Sequence, residues 1–431
     1  MRPVVKVEKL VFGGDGLAKA PDGKVIFVPF VIPGEVVKVK IKQDFGDYYE
    51  AEVEEILEEA PERRTPACPY YESCGGCQLQ HIEYSKQLEI KEQILIDTFS
   101  RQKWEEDLPL EKVVPSPREF NYRNRLRLHV ESEQLKMGFV KRKTHAVLKI
   151  KQCLLAEELL NRVLRSLYQH QVWFKLAFYS KRIKIEYSPE EQLATLIFWT
   201  SIAPSREDLE RLSEIEGLKC VFFWQRGRRP QGPYPSQTNL NGRRVFKNID
   251  GMYYYVQPGV FVQTNWDVNL KIMETLKKLN LDYETVLDLH AGIGNFLFPL
   301  KRDGVKKCLG VDTDIRAIED ATFSAEKQGI NGVFDFQHMS AMEALYEAVK
   351  MGESFDLVVL DPPRGGCKEL MRLLPEVAKK YIIYISCDAP TFVRDIKILK
   401  TKGFSLKKLY LFDMFPQTYH FETVGLLEKT A

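Results

Sequence analysis

The C-terminal part of the chain follows a repeated strand–loop–helix pattern. Short apolar runs alternate with polar loops and with longer segments of helical periodicity: TVLDL (285–289), KCLGVD (307–312), FDLVVL (355–360), YIIYIS (381–386) and LKKLYLF (406–412). Strands that alternate with helices form a doubly wound, mostly parallel sheet, and ligands bind at the carboxyl ends of its strands. The pattern therefore predicts an α/β, Rossmann-like domain over residues 256–431.

A glycine loop follows the first of these strands. In DLHAGIGNF (288–296), Gly292 and Gly294 allow a tight turn and a close approach of the backbone to a ligand, and a helix is expected to follow. A dinucleotide fingerprint needs a third glycine, where this chain has Leu297. Asp312 ends the second strand, where a carboxylate accepts hydrogen bonds from a ribose diol. Together these features favour an S-adenosylmethionine pocket over an ordinary strand–helix turn.

Two further strand ends carry chemically useful residues. Asp361 follows a buried strand in FDLVVLDPPRGG (355–366), and the two prolines stiffen the exit from the sheet. Cys387 lies in the matching place one strand later, ahead of a helix predicted from about residue 390, whose N-terminus would favour a thiolate. Taken alone, a free cysteine is more often a buried core residue than a nucleophile.

A carboxylate near the last strand changes that interpretation. Glu422 lies among aromatic and apolar residues in DMFPQTYHFETV (413–424). A partly desolvated carboxylate has a raised pKa, which suits a general base. The alternative is a surface glutamate on a closing strand.

The rest of the chain is long enough for two more domains. Residues 1–60 contain short alternating strands split by GGDG, APDGK and IPGE, which predicts a small OB-like β-barrel. Residues 61–255 are predicted to form a central α+β domain that carries a cysteine cluster. An amphipathic helix within it, near residues 85–102, is expected to pack on the catalytic domain.

The charges are nearly balanced but segregated along the chain. Lys and Arg number 62 against 60 Asp and Glu, a net charge of +2. Residues 136–151 hold six Lys or Arg and no acid, and FNYRNRLRL (120–128) and WQRGRRPQGPY (224–234) place arginines among aromatic residues. Such clusters suit RNA, although a solvated charged face is an equally good interpretation of any one of them. The sequence shows neither a membrane span nor a signal peptide, so a cytoplasmic location is expected.

Four cysteines suggest a metal site. Cys68, Cys74 and Cys77 lie close together in ACPYYESCGGCQLQH, and Cys153 is a plausible fourth ligand. In a cytosolic chain such clustering favours a metal over disulfides. The spacing itself is compatible with either zinc or an iron–sulfur cluster.

The motifs occur in an order that resembles one known family. FVQTN (261–265), DLHAGIGNF, GVDTD, DPPRGG, YISCDAPTFVRD and DMFPQTYHFE resemble the RNA (uracil-5-)-methyltransferases over essentially the whole chain. The first 60 residues resemble the TRAM domain of the 23S ribosomal RNA branch. The resemblance implies S-adenosylmethionine as methyl donor and favours a [4Fe-4S] cluster at the four cysteines.

The resemblance also implies roles for individual residues. Cys387 would be the nucleophile and Glu422 the base. The methyl donor would be bound by Gln263, His290, Asn295, Asp312 and Asp361. This chain departs from the usual family pattern at several of these places, with Asp388-Ala389 after the cysteine, His290-Ala291 in the glycine loop and Asp312 in place of a glutamate.

Several functions remain open at this point. The leading hypothesis is a methyltransferase acting on carbon 5 of a uridine in 23S rRNA, expected to be a monomer. A transfer RNA substrate is the nearest alternative, although it usually accompanies chains without a barrel or a cluster. A non-catalytic RNA-binding assembly factor, or a redox or radical enzyme that uses the cluster, would belong to other classes.

Overall fold

A computed structural model describes residues 2–430. The chain begins with a closed barrel in the order β1-β2-β3-β5-β4. Its strands are β1 (Val4–Leu10), β2 (Gly16–Lys19), β3 (Val25–Val28), β4 (Val36–Asp44) and β5 (Tyr48–Glu58). Alternate side chains point inward and form a small core that includes Val5, Val7, Ile26 and Val39. The barrel predicted for residues 1–60 is confirmed.

A cysteine-bearing loop leads from the barrel to helix α1 (Tyr84–Arg101), within a residue of the predicted limits. Ile90, Ile94 and Phe99 are buried on one face of α1, as the sequence periodicity predicts, and join the apolar core of the catalytic domain. The short strand β6 (Leu110–Val114) follows. This segment thus connects the barrel directly to the catalytic unit.

The central part of the chain forms a sheet of seven strands in the order β13-β12-β11-β10-β7-β8-β9. The strands are β7 (Arg125–Glu131), β8 (Lys136–Val140), β9 (Val147–Lys149), β10 (Ser180–Ser188), β11 (Leu193–Thr200), β12 (Leu218–Trp224) and β13 (Gln231–Tyr234). Three helices pack on one face of this sheet, namely α2 (Glu158–Gln169), α3 (Gln171–Ala177) and α4 (Arg206–Ser213). A hairpin of β14 (Arg244–Lys247) and β15 (Tyr253–Val256) then leads to the catalytic domain.

The catalytic domain is built on an eight-stranded sheet in the order β18-β17-β16-β19-β20-β22-β21-β6. Its further strands are β16 (Thr285–Asp288), β17 (Lys307–Asp312), β18 (Phe334–His338), β19 (Phe355–Leu360), β20 (Ala378–Ser386), β21 (Phe404–Phe412) and β22 (Glu422–Lys429). Its helices are α5 (Trp266–Lys278), α6 (Ile315–Lys327), α7 (Ala341–Met351), α8 (Leu374–Val377) and α9 (Ala389–Lys400). Apolar cores cover both faces of this sheet, so the predicted doubly wound α/β fold is confirmed.

One strand of this sheet runs against the others. Strand β22 pairs antiparallel with β20 on one side and with β21 on the other, whereas the remaining neighbours pair in parallel. The start of β22 therefore lies at the same edge as the ends of its neighbours. Residues from both kinds of strand can meet at that edge.

Two features differ from the sequence analysis. The prediction of a helix after the glycine loop is wrong, because residues 297–306 form only a single 3₁₀ turn at Phe298–Leu300 before β17 begins. Pro299 and the short distance to β17 leave no room for a longer helix. In addition, β6 lies before residue 256 in the chain but pairs with β21 at the edge of the catalytic sheet. Its five residues, LEKVV, contain no pattern that distinguishes such pairing from a local strand.

Candidate active site

The sheet brings the predicted site residues to one edge. Asp288 and Asp312 end β16 and β17, while Asp361 and Cys387 follow β19 and β20 by one residue. Glu422 begins the antiparallel strand β22 and so reaches the same edge from the other direction. The four parallel strand ends were predictable from the sequence, but the reversed strand that delivers Glu422 was not.

The pairing of β20 with β22 brings Cys387 and Glu422 together. Ser386 pairs with Thr423, so the same antiparallel register continued by one residue places Cys387 opposite Glu422. Glu422 is buried, with 4% of its surface exposed, and its Oε2 atom has no hydrogen-bond partner among the described residues. Burial, and then the charge of Asp361, raise the pKa of Glu422 well above its usual value, whereas Arg364 lowers it.

Cys387 is a protonated thiol in the free protein. Burial and the charge of Glu422 raise its pKa to about 12, and Arg364 opposes this shift. Helix α9 begins two residues later, as predicted, with Asp388 capping it by accepting a hydrogen bond from the Thr391 amide at 3.0 Å. Burial therefore outweighs the effect of the helix N-terminus that the sequence analysis expected to favour the thiolate.

The residues after Cys387 that depart from the family pattern form the start of helix α9. Asp388 supplies the N-cap, and Ala389 and Pro390 form the start of the first turn. Proline is well tolerated there because backbone amides of the first turn have no partner inside the helix. Asp388-Ala389-Pro390 thus continues directly from β20 into α9.

Asp361 is held in place by a side chain of the FVQTN segment (261–265). The Gln263 amide donates to Asp361 Oδ2 at 3.1 Å, and the Gln263 carbonyl accepts from Asn124 Nδ2 at 2.8 Å. Burial, followed by the charge of Asp312, raises the pKa of Asp361 to about 7, while the bond from Gln263 opposes the shift. This bond links the strand end at β19 to the central domain through Asn124.

The glycine loop is anchored at both ends by carboxylates. The amide of His290 donates to Asp288 at 3.1 Å, and the amide of Gly292 donates to Asp312 Oδ2 at 2.9 Å. Gly292 has a positive φ of 53°, a conformation that glycine adopts without strain. His290 Nδ1 is buried and has no hydrogen-bond partner within residues 2–430, and burial lowers the pKa of this imidazole to about 4. A neutral His290 thus offers one unused ring nitrogen beside the loop.

Asn295 is already engaged by the protein. Its side-chain amide exchanges two hydrogen bonds with Asn269 of α5, at 2.8 and 2.9 Å. The Asn295 carbonyl accepts a further bond from the Tyr254 hydroxyl at 3.1 Å. Its role in binding the methyl donor stays a prediction, and the visible contacts are those of a residue that fixes the loop to α5.

Two adjoining cavities meet at this edge. The larger has a volume of about 740 Å³ and contains Cys387, Glu422, Asp361, Gln263 and Asp312 in its wall. The second, of about 520 Å³, is also lined by Asp312 and extends to residues that the sequence analysis missed, Thr313, Ser340, Ala341 and Met342. Asp312, His290 and Thr313 line both cavities, so a two-part ligand can extend from one cavity to the other past Asp312.

Arg364 is a further residue that the sequence analysis quoted only as part of a motif. It lines the larger cavity and lowers the pKa of both Cys387 and Glu422. Its guanidinium donates to Nε2 of His420 at 3.1 Å, and burial lowers the pKa of that histidine to about 3. The sequence signal for this residue was an arginine directly after Asp361 and two prolines. The two prolines restrict the backbone and so fix the position of the arginine.

The loop before Glu422 is held from α1. Lys91 forms a fully buried ion pair with Asp413 at 2.5 Å and donates to the Phe415 carbonyl at 3.1 Å. Gln87 exchanges hydrogen bonds with Gln417, donating to its side chain and accepting from its amide, both at 3.0 Å. Helix α1 thus fixes the segment that leads into β22.

The four predicted metal ligands come together around a third cavity. Cys68, Cys74, Cys77 and Cys153 all line a space of about 390 Å³ beside the β8–β9 hairpin. Arg123 lines this cavity and the larger one described above, so it lies between the two. Within residues 2–430, no three His, Cys, Asp or Glu side chains are arranged to hold a single metal ion. The arrangement is therefore a set of thiols around one space rather than a preformed mononuclear site.

Comparison with known proteins assigns the chain. The family model described as tRNA (Uracil-5-)-methyltransferase matches residues 83–430, and the TRAM domain model matches residues 4–53. An uncharacterized RNA methyltransferase of Aquifex aeolicus is 34% identical, covering 98% of this chain and 97% of the relative. The 23S rRNA (uracil(1939)-C(5))-methyltransferase RlmD of Shewanella amazonensis is 30% identical, covering 98% of this chain and 95% of the relative.

A solved structure shows the same architecture. The tRNA (uracil-54, C5)-methyltransferase of Pyrococcus abyssi, in complex with S-adenosyl-L-homocysteine, superposes with a TM-score of 0.75 at 23% identity, over 99% of this chain and 100% of that one.

No helix among residues 2–430 is long and apolar enough to cross a membrane. With a full-length match to the family, a TRAM barrel and the strand-end site in place, the chain belongs to the S-adenosylmethionine-dependent RNA (uracil-5-)-methyltransferases.

Proposed function

We propose that this protein methylates carbon 5 of a uridine in 23S rRNA through a covalent intermediate on Cys387. The observation that supports it most is the placement of Cys387 opposite Glu422 in the wall of one cavity. Carbon 5 of uracil is a poor nucleophile, so the reaction needs one group to activate the ring and another to remove a proton. A thiol and a desolvated carboxylate beside it match those two requirements.

The ring is activated by addition of Cys387. After its proton has passed to solvent, the thiolate forms a bond to carbon 6 and the electrons of the carbon 5–carbon 6 double bond move to the oxygen on carbon 4. Carbon 5 then becomes nucleophilic and accepts the methyl group that S-adenosylmethionine supplies. Arg364, the cation that already lowers the pKa of Cys387, stabilises the thiolate form.

Glu422 completes the reaction. Its carboxylate removes the proton from carbon 5, the double bond re-forms, and the bond between sulfur and carbon 6 breaks to release Cys387. The unpartnered Oε2 atom of Glu422 leaves one oxygen available for this proton. Its raised pKa makes it a stronger base than an exposed glutamate.

The two adjoining cavities fit the methyl donor. Asp312 lies between them, where a carboxylate can accept bonds from the ribose hydroxyls. The smaller cavity, with Ser340, Ala341 and Met342, would hold the adenine. Gln263, Asp361 and His290 line the larger cavity and would hold the amino-acid end.

The four cysteines fit a [4Fe-4S] cluster better than a zinc ion. A zinc ion needs its ligands around a single centre, an arrangement absent from the described residues. A four-iron cluster takes one thiolate at each iron, so its cysteines stand farther apart around a larger space. The common cavity lined by Cys68, Cys74, Cys77 and Cys153 has this form. We assign the cluster a role in holding this part of the RNA-binding region, without redox chemistry.

The RNA class is inferred from the domain composition and the relatives. This chain has a TRAM barrel and is 30% identical over 98% of its length to a relative named as a 23S rRNA methyltransferase, that of Shewanella amazonensis. The alternative is a transfer RNA, the substrate for which the Pyrococcus abyssi enzyme is named. The uridine must be unpaired or flipped out to reach a thiol inside a cavity. We propose that a monomer performs the reaction, because the described residues supply every group that the chemistry needs.

The test uses RNA in which 5-fluorouridine replaces uridine. Fluorine on carbon 5 cannot leave as a proton, so the covalent complex with Cys387 should accumulate when S-adenosylmethionine is present. A slower band on a denaturing gel with 23S rRNA fragments, absent in Cys387→Ala and retained in Cys220→Ala, is the expected result. A slower band with transfer RNA alone would identify transfer RNA as the substrate and would still support the proposed mechanism. No band with either RNA would favour a non-catalytic RNA-binding factor.

A further inference from the structure

The central sheet has one face on which α2, α3 and α4 do not pack. Ile183, Ile185 and Leu196 point toward these helices and belong to the same apolar core. Side chains alternate along a strand, so the residues between them point to the opposite side. That opposite side is called the open face below; it is buried at Ile197 and Phe222, whereas Arg127 on it is exposed.

The open face carries a row of cationic and aromatic side chains. The register pairs His129 with Arg182, Arg182 with Trp199, and Trp199 with Trp224, across β7, β10, β11 and β12. Neighbouring strands are about 4.8 Å apart, so three intervals extend the row over about 14 Å. We call His129, Arg182, Trp199 and Trp224 the cross-strand row. Arg127 lies on the same face, two residues before His129.

Two cations of this face, Arg127 and Arg182, have no counter-charge among the described residues. Within residues 2–430, neither Arg127 nor Arg182 forms a salt bridge, and Glu186 on the same face pairs with Lys184 and Arg244. Arg182 Nε is buried and has no hydrogen-bond partner in the part of the chain that the structure describes. Burial and then the charge of Arg127 lower the pKa of Arg182, so these two cations repel each other in the free protein. Clustered positive charge without counter-charge is the electrostatic signature of a polyanion site.

The aromatic end of the row offers a stacking surface. The Trp199 and Trp224 rings are stacked with centroids 5.2 Å apart and planes inclined by 25°. The guanidinium of Arg316 lies 4.7 Å from the Trp224 ring centre and keeps that ring in place from the catalytic domain. Both tryptophans are half-buried, so each retains exposed surface. Unpaired bases stack on such rings, with phosphates on nearby arginines.

The open face is continuous with the catalytic cavity. Arg127 lines that cavity together with Cys387 and Glu422, and it also neighbours the row. A strand of RNA whose uridine occupies the cavity can therefore run past Arg127 onto Arg182 and Trp199 without leaving the protein surface. A base-paired stem would present its bases to its own partner strand, which leaves the tryptophans without a stacking partner.

We propose that the cross-strand row binds unpaired nucleotides of the substrate RNA adjacent to the methylated uridine, with phosphates on Arg127 and Arg182 and a base on Trp199. This inference rests on the proposed function for its substrate and adds a second contact site outside the catalytic cavity. It predicts that the enzyme selects uridines that lie within single-stranded segments.

The direct test measures binding of single-stranded oligouridine by fluorescence anisotropy over a range of salt concentrations. We expect Trp199→Ala to weaken binding about tenfold, whereas Trp199→Phe, which keeps a stacking ring, should bind nearly as the parent protein does. Arg182→Gln should reduce the slope of log affinity against log salt by about 0.7, the value for one phosphate contact on a single strand. Phe178→Ala and Arg162→Gln, at exposed positions outside the open face, are the matched controls.

The outcomes separate this proposal from the proposed function. If Trp199→Ala and Arg182→Gln bind oligouridine as the parent protein does, the row is not an RNA site, whatever the trapping experiment with 5-fluorouridine shows. If Trp199→Ala and Arg182→Gln both bind oligouridine more weakly while the parent protein forms no covalent complex, the row is an RNA site but the proposed catalytic role of Cys387 is wrong. Equal losses in the Phe178→Ala control would also overturn the proposal.

Discussion

The continued register of β20 and β22 places Glu422 directly opposite Cys387. The two groups share one cavity wall but act at different moments, since Cys387 must add before Glu422 has a proton to remove. Because the two residues act in different steps, replacing each one should make a different species accumulate, and that species tests its role.

Replacing the base should stall the reaction after methyl transfer. We expect Glu422→Gln to accumulate a covalent complex with ordinary, non-fluorinated RNA, because the sulfur cannot leave until carbon 5 loses its proton. The complex would appear as a slower band on a denaturing gel and would carry label from methyl-labelled S-adenosylmethionine. An unlabelled band, or full turnover by Glu422→Gln, would assign proton removal to another group. Glu428→Gln, near the far end of the same strand, is the control.

Removing the cation near the thiol should shift the pH dependence of addition. Arg364 lowers the pKa of Cys387, so Arg364→Gln should raise that pKa further. At saturating RNA and at any pH below the pKa, the thiolate fraction is smaller in the variant, so the rate of covalent trapping with 5-fluorouridine RNA should fall by about tenfold, a factor that stays constant with pH. An unchanged rate at saturating RNA, with weaker RNA binding, would show that Arg364 binds RNA instead of tuning the thiol. Arg372→Gln, exposed and outside the cavity, should leave the profile unchanged.

The metal content of the protein distinguishes the two candidate centres. Protein purified without oxygen should contain about four iron and four sulfide per chain, as a [4Fe-4S] cluster requires. Cys77→Ser should lose most of both, whereas Cys220→Ser, a buried thiol in a separate small cluster, should keep them. About one zinc per chain without sulfide would overturn the iron–sulfur assignment. Plasma mass spectrometry and a sulfide assay give both numbers.

The buried ion pair between α1 and the loop before β22 should matter for stability. Lys91→Met leaves Asp413 charged and without its partner, so the free energy of unfolding should fall by about 3–5 kcal/mol. Lys86→Met, which removes exposed ion pairs from the same helix, should cost about 1 kcal/mol or less. Urea unfolding of both variants measures the difference. Similar losses for the two would mean that the loop can rearrange to expose Asp413 to solvent.

Asp288 should make the free protein less stable as the pH rises. Burial raises its pKa to about 8 from a usual value near 3.8. At a pH between those two values, Asp288 keeps its proton in the folded state and has lost it in the unfolded state. Its contribution to stability is complete below pH 3.8 and is lost as the pH rises through about 8. Asp288→Asn, which can still accept the His290 amide, should therefore gain stability relative to the parent protein as the pH increases. Unfolding in urea at about pH 5 and about pH 8.5 checks this, and a constant difference would argue against it.

The sequence patterns predicted the parallel strand ends well because each apolar run ends at one polar residue. Strands β17 and β19 begin and end where their runs do, and α1 is within a residue of its prediction. The antiparallel direction of β22 was not predictable, since direction depends on which strands it lies between. The same limitation hid β6, which pairs with a strand almost 300 residues later.

The protonated state of Cys387 also lay outside what sequence could indicate. A helix N-terminus can be predicted from Asp388 and the residues after it, and it favours a thiolate. Two effects oppose it, burial and the charge of Glu422, and both depend on positions that only the fold defines. The cross-strand row was hidden for the same reason, because Trp199 and Arg182 become neighbours only through strand register.

The reversed strand β22 has a consequence for how the enzyme is made. It lies between β20 and β21 in the sheet, yet a ribosome synthesises it after both. The two earlier strands must therefore stay apart until β22 can enter between them, so this part of the sheet closes last. Because Glu422 is the first residue of that strand, the base reaches the nucleophile only when the sheet is closed. A nascent chain that has already exposed Cys387 thus lacks the means to complete a catalytic cycle on the RNA around it.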